Sequence, residues 1–110
     1  MMKTLPQHIQ PILQELQRSL KKLYGDRLLH LTLFGSQARG DAELGSDIDV
    51  LVVLRSLVNP GEEIERTGGI VAALSLHYEV VISCLFMEDD HYQTRNGSLL
   101  RNIRKEGVLI

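Results

Sequence analysis

The chain has 110 residues, 44% of them hydrophobic and 24% charged, with a formal net charge of −2. That is room for one packed domain, residues 1–110, and it excludes a disordered chain. The slight acidity argues against a protein that coats nucleic acid through bulk charge, so direct nucleic-acid binding is not expected. The opening segment MMKTLPQHIQP carries no long apolar run, so neither a signal peptide nor a membrane span is expected and the cytoplasm is the default compartment. The one cysteine, Cys84, lies inside VVISCLF and reads as a small core residue in a reducing environment.

In chain order, Pro6 to Tyr24 reads as an amphipathic helix. Ile9, Ile12, Leu13, Leu16, Leu20 and Leu23 recur at three- and four-residue steps, Thr4 is a plausible N-cap, and Gly25-Asp26 stops it. Leu28 to Phe34 is a strand candidate, Ser36 to Gly40 a single helical turn, and Asp41 to Ser46 a polar loop. Asp47 to Leu54 is a second strand. Asn59-Pro60-Gly61-Glu62 reads as a helix start, and that helix is expected to run to about Leu76 with Ile64, Val71 and Leu74 inward, despite the cost of Gly68-Gly69. Glu79 to Leu85 is a third strand candidate and Met87 to Thr94 a helix, with Glu88-Asp89-Asp90 at its acidic N-terminus. Ser98 caps a last helix, Leu99 to Glu106, closed by Gly107. Three strands interleaved with helices imply an α/β (α+β) layered domain.

The stretch Gly35-Ser36-Gln37-Ala38-Arg39-Gly40 followed by Ser46-Asp47-Ile48-Asp49 is where chemistry gathers. Alternation along a strand puts Asp47, Asp49, Leu51 and Val53 on one face. Burying unpaired carboxylates there would cost roughly several kcal/mol each, and a cation resolves that conflict. Oxygen-only ligands favour Mg²⁺. An isolated D-x-D can equally be a turn cap and a wet strand end. Ser36, however, opens a turn whose free N–H groups can hold phosphate oxygens, and Arg39 can add a charged contact or fix an aspartate. The G-K-[ST] ending of a P-loop is absent. His8, His30, His77 and His91 share no ligand spacing, and Arg101, Arg104 and Lys105 read as a solvated basic face.

This motif block resembles the signature of the DNA polymerase β nucleotidyltransferase superfamily, and more closely the minimal nucleotidyltransferases, small antitoxins paired with HEPN-domain toxins. The resemblance implies a nucleotidyltransferase fold, a small mixed sheet packed with helices. It implies two Mg²⁺ ions held by Asp47 and Asp49, with Gly35 and Ser36 on the β- and γ-phosphates of ATP and Arg39 nearby. The family places a third carboxylate on the next strand, and Glu79 is the candidate metal ligand and catalytic residue here. The implied reaction moves AMP from ATP onto a hydroxyl, with a tyrosine of a HEPN toxin as acceptor. A non-catalytic module that neutralises a partner by occlusion, and a transferase acting on a small molecule, stand as alternatives.

Overall fold

The computed structural model describes residues 6–43 and 45–110. Thr4 lies outside the described residues. A 3-10 turn at Gln7–Ile9 leads into helix α1, Gln10–Tyr24, whose Ile12, Leu13, Leu16 and Leu20 are buried along one stripe. Leu23, expected on that stripe, is 41% exposed. Gly25 takes the C-cap at φ 57°, a left-handed value that suits a residue without Cβ.

Among the described residues four strands form one sheet, the three read from the sequence and a short fourth: β1 is Leu28–Phe34, β2 Ile48–Leu54, β3 Ile82–Glu88 and β4 Val108–Leu109, in the order β3-β2-β1-β4. β1 runs antiparallel to both β2 and β4, while β2 and β3 are parallel. A parallel pair needs a crossover, and helix α3, Pro60–Tyr78, supplies it. The two strands expected at Leu28–Phe34 and Asp47–Leu54 are present, the second starting one residue later. β2 is apolar on both faces because it is covered on both. Val50, Val52 and Leu54 meet α1 and α3, whereas Leu51 and Val53 meet Leu100 and Ile103 of helix α5, Ser98–Glu106.

Several boundaries differ from expectation. Helix α3 continues past Leu76 to Tyr78, and Glu79 is its C-cap in the left-handed region, φ 54°. Glu79 therefore does not open a strand; β3 begins three residues later. β3 also extends through Met87 and Glu88, so helix α4 is Asp89–Thr94 with Glu88 as its N-cap. Ser98 is the first residue of α5 and Gly97 its N-cap.

The inner face of α3 is the other correction. Asn59 caps the helix as expected, its Oδ1 accepting the Glu62 N–H at 3.3 Å. Ile64 is 58% exposed, and the buried positions are Glu63 and Thr67, with Ile70, Val71 and Leu74 beside them. A glutamate can face inward here because its charge is matched. The Tyr24 hydroxyl donates to Glu63 at 2.6 Å, Arg66 donates to both its oxygens at 2.7 and 3.0 Å, and Arg27 lies at 3.5 Å.

Candidate active site

Antiparallel β1–β2 and parallel β2–β3 pairing bring the end of β1 and the starts of β2 and β3 to the same end of the sheet. Gly35, Ser36, Asp47 and Asp49 gather there. Phe34 and Asp49 are register partners, so the glycine that follows Phe34 comes down on the aspartate. A Cβ built on Gly35 would sit 2.5 Å from Asp49 Oδ2, and Gly35 adopts φ 75°. Only glycine satisfies both conditions.

Ser36 opens helix α2, Ser36–Arg39. The Gly35 carbonyl accepts the N–H groups of both Ala38 and Arg39 at 3.1 Å, which leaves the N–H groups of Ser36 and Gln37 at the head of the turn. Gln37 is buried and its Nε2 donates to the Ser46 carbonyl at 3.3 Å. The Ser46 hydroxyl accepts the Glu43 N–H at 2.9 Å, and the Ser46 N–H donates to the Glu43 carbonyl at 3.0 Å. The loop into Asp47 is thus tied to the same turn that presents Ser36. The N–H groups at the head of the turn and the paired carboxylates are held as one unit.

Asp47 is exposed and Asp49 is partly buried. Burial, and then the neighbouring charge of Asp47, push the Asp49 carboxyl above the ordinary aspartate range, while Arg39 pulls it back in part. Arg39 itself bonds to neither aspartate of the D-x-D pair. Its Nε donates to Asp41 Oδ2 at 3.2 Å and its Nη1 reaches Glu106 Oε2 at 3.5 Å, tying α2 to the end of α5.

Glu79 is exposed and sits on the α3 cap instead of a strand. Among the described residues no group of three His, Cys, Asp or Glu side chains is placed to hold one metal ion. The residue that stands beside Asp49 on β3 is Ser83, its direct register partner. Sequence reading missed Ser83 because the start of β3 was set three residues early. Once Ile48 is paired with Ile82, alternation selects Ser83 at once. Of the remaining candidates, Cys84 is partly buried and burial raises its thiol to about 11, so it is a poor nucleophile. Arg104 is a structural residue: it donates to the carbonyls of Tyr92 and Arg95 and lies 5.1 Å over the Tyr92 ring. Among the described residues no helix is long and apolar enough to cross a membrane.

The nucleotidyltransferase domain family matches residues 13–110. Two candidate protein adenylyltransferases of Methanocaldococcus jannaschii are each 33% identical, over 97 and 100 residues, covering 88% and 89% of this chain and 93% of each relative. Among solved structures, the toxin–antitoxin protein crystallised with AMP-PNP superposes with a TM-score of 0.59 at 16% identity, covering 84% of this chain and 68% of that one. The MntA–HepT toxin–antitoxin structure gives 0.55 at 14% identity over 91% of this chain and 70% of that one. A nucleotidyltransferase structure from Sulfolobus solfataricus gives 0.53 at 19% identity over 99% and 90%. These likenesses establish the nucleotidyltransferase fold for the four-stranded mixed sheet described above.

Proposed function

The chain belongs to the nucleotidyltransferase domain family and is an enzyme of that class, and from that premise we propose that it transfers AMP from ATP to a hydroxyl, that of a tyrosine on a HEPN-type toxin, and so acts as an antitoxin in the cytoplasm. The observation that carries this reading is the packing of Gly35 onto Asp49, which joins a turn of free N–H donors to a pair of carboxylates. Triphosphate and cation need those two things side by side.

The residues fit Mg²⁺ in kind. Asp47 and Asp49 offer only oxygen ligands, and the raised Asp49 carboxyl is a charge that a cation would relieve. Bound there, Mg²⁺ would supply charge neutralisation at the reacting phosphate. The chain's own groups do the positioning. The Ser36 hydroxyl and the N–H groups of Ser36 and Gln37 hold the β- and γ-phosphate oxygens, and Arg39 adds positive charge at the rim. With the triphosphate so held, the acceptor oxygen forms the new bond to the α-phosphorus, pyrophosphate departs with the electrons of the old P–O bond, and the hydroxyl proton passes to water. Asp47 and Asp49 would also be this chain's ligands for the second ion of the expected pair.

One observation favours a second reading. Glu79 stands on a helix cap and Ser83 flanks Asp49, so the third carboxylate that the family resemblance implies is not on the strand beside Asp49. A module that neutralises its toxin by binding alone would tolerate that loss. The two readings separate when the chain is incubated with labelled ATP, Mg²⁺ and the protein of the neighbouring reading frame. Label on that protein, absent with Asp47→Asn/Asp49→Asn, is the outcome expected. Full neutralisation of the toxin by the double variant, with no label transferred, would sink the enzymatic reading.

A further inference from the structure

The two edges of the sheet are treated very differently. β4 is two residues long and ends the sheet abruptly, which is one way to protect an edge. β3 is seven residues long and has only β2 as a strand neighbour among the described residues. Its stretch Val81 to Met87 has no lysine, proline or other charge to discourage pairing. The Ile48 N–H donates to the Val81 carbonyl at 2.8 Å. By alternation the backbone of Val81, Ser83, Leu85 and Met87 faces β2, and that of Ile82, Cys84 and Phe86 faces the open side.

Helix α3 does not cover that edge. Between it and β3 lies an open apolar groove of about 370 Å³, lined by Ile64, Gly68 and Ala72 from the helix and Ile82, Cys84 and Phe86 from the strand. The helix row Ile64, Gly68, Ala72, Leu76 follows four-residue steps and is uncharged throughout. Ile64 is 58% exposed, Leu76 83% and Val81, at the head of the strand, 55%. On a chain with 24% charged residues, this strip is conspicuously neutral.

We propose that this strip is a self-association face, on which β3 pairs antiparallel with β3 of a second copy. A two-fold axis normal to the sheet, midway between the two Cys84 residues, keeps α3 on the same face in both copies. It gives an eight-stranded sheet with a closed, isologous interface. Each edge-facing backbone group of Ile82, Cys84 and Phe86 finds its partner in the other copy. The small Gly68 and Ala72 let the two α3 helices approach, and Ile64 and Leu76 fill the grooves on either side. Charge favours the same occupant. The strip itself carries no charge, so it can face itself without like-charge contact. A seven-residue strand and the Ile64–Leu76 row each span ~20 Å, so the pair buries on the order of 1,000 Å², enough for a specific interface. This assignment does not rest on the transferase reading.

Sedimentation equilibrium of the whole chain across the micromolar range tests it. The expected mass is twice 12.4 kDa for the wild type, falling to 12.4 kDa for Ala72→Glu and for Ile64→Lys, both at exposed positions and both with unchanged circular dichroism. Hydrogen exchange on the wild type gives an answer independent of the variants: the amides of Ile82, Cys84 and Phe86 are protected when concentrated and lose that protection on dilution. A wild type that stays monomeric throughout overturns the proposal. So does a dimer untouched by both substitutions, or a monomeric wild type in which Ala72→Glu abolishes binding of the neighbouring-frame protein.

Discussion

The two ends of the sheet solve the same problem in opposite ways. At the end where β1 starts and β2 finishes, Glu63 is 1% exposed, yet Tyr24, Arg66 and Arg27 converge on it. Burial alone would raise its carboxyl, but the Tyr24 hydrogen bond and then the two arginines outweigh that and hold it below the ordinary range. At the other end the like charge of Asp47 acts on Asp49 more strongly than Arg39 does, and Arg39 is committed to Asp41 and Glu106. Its carboxyl moves up. A fold that neutralises a buried carboxylate at one end leaves one with a raised carboxyl at the other, and that second end is where we propose the ligand binds.

The comparison can be broken most severely at Gly35. Gly35→Ala places a Cβ against Asp49 Oδ2 at a left-handed φ, displacing the carboxylate by a substantial fraction of an ångström. Nucleotidyl transfer should fall by ~100-fold in a labelled-ATP assay, while circular dichroism shows a folded chain. Unchanged transfer would mean that the turn and the carboxylate do not act together.

The compensated end predicts a loss of stability instead of activity. Glu63→Gln leaves two arginines without their counter-charge and should cost about 2–3 kcal/mol in urea unfolding. The pH dependence follows from the two shifts. Glu63 is lowered in the folded state, so its contribution is present above the ordinary glutamate range and is lost as pH falls through its depressed value. Tyr24 is raised, by burial first and then by Glu63, so its contribution holds below 10.0 and is lost as pH rises beyond that. Wild-type stability should therefore fall at both extremes, and the glutamine variant should have a flatter profile on the acid side.

The smallest effect concerns Glu79. A glutamate at φ 54° costs roughly 1 kcal/mol against glycine. Glu79→Gly should stabilise the chain by about that amount and leave transfer intact, since the side chain is exposed on a helix cap. Loss of transfer in that variant would restore Glu79 as a ligand.

Most of this architecture was legible because its signals are local. The 3.6-residue stripe of α1, the Asn59-Pro60 start of α3 and the β-branched run after Asp49 each require only a few neighbours to be read. The motif at Gly35-Ser36 and Asp47-Asp49 was legible for the same reason. What escaped depends on contacts distant in sequence. Nothing near Val108 announces a two-residue strand, which exists only because Leu33 and Thr32 are there to pair with it. Glu79-Val80-Val81 looks extended, but α3 ends on a non-glycine cap, so the β3 register moved and Ser83 took the place beside Asp49. Ile64 was placed inward because a buried glutamate is improbable until Tyr24, Arg27 and Arg66 are seen around it.

The central claim, that the uncompensated end of the sheet is kept for a cation and a nucleotide, is tested most directly by thermal unfolding of wild type and Asp49→Asn. Because the folded Asp49 carboxyl is raised, the folded chain holds that proton to higher pH than the unfolded one. Stability is thus lost as pH rises through the ordinary aspartate range toward the raised value. At neutral pH without ligands the asparagine variant should melt above wild type. Adding Mg²⁺ with a non-hydrolysable ATP analogue should raise the wild-type midpoint and leave the variant where it was. A variant that melts no higher without ligands, yet gains as much as wild type when they are added, would contradict the account.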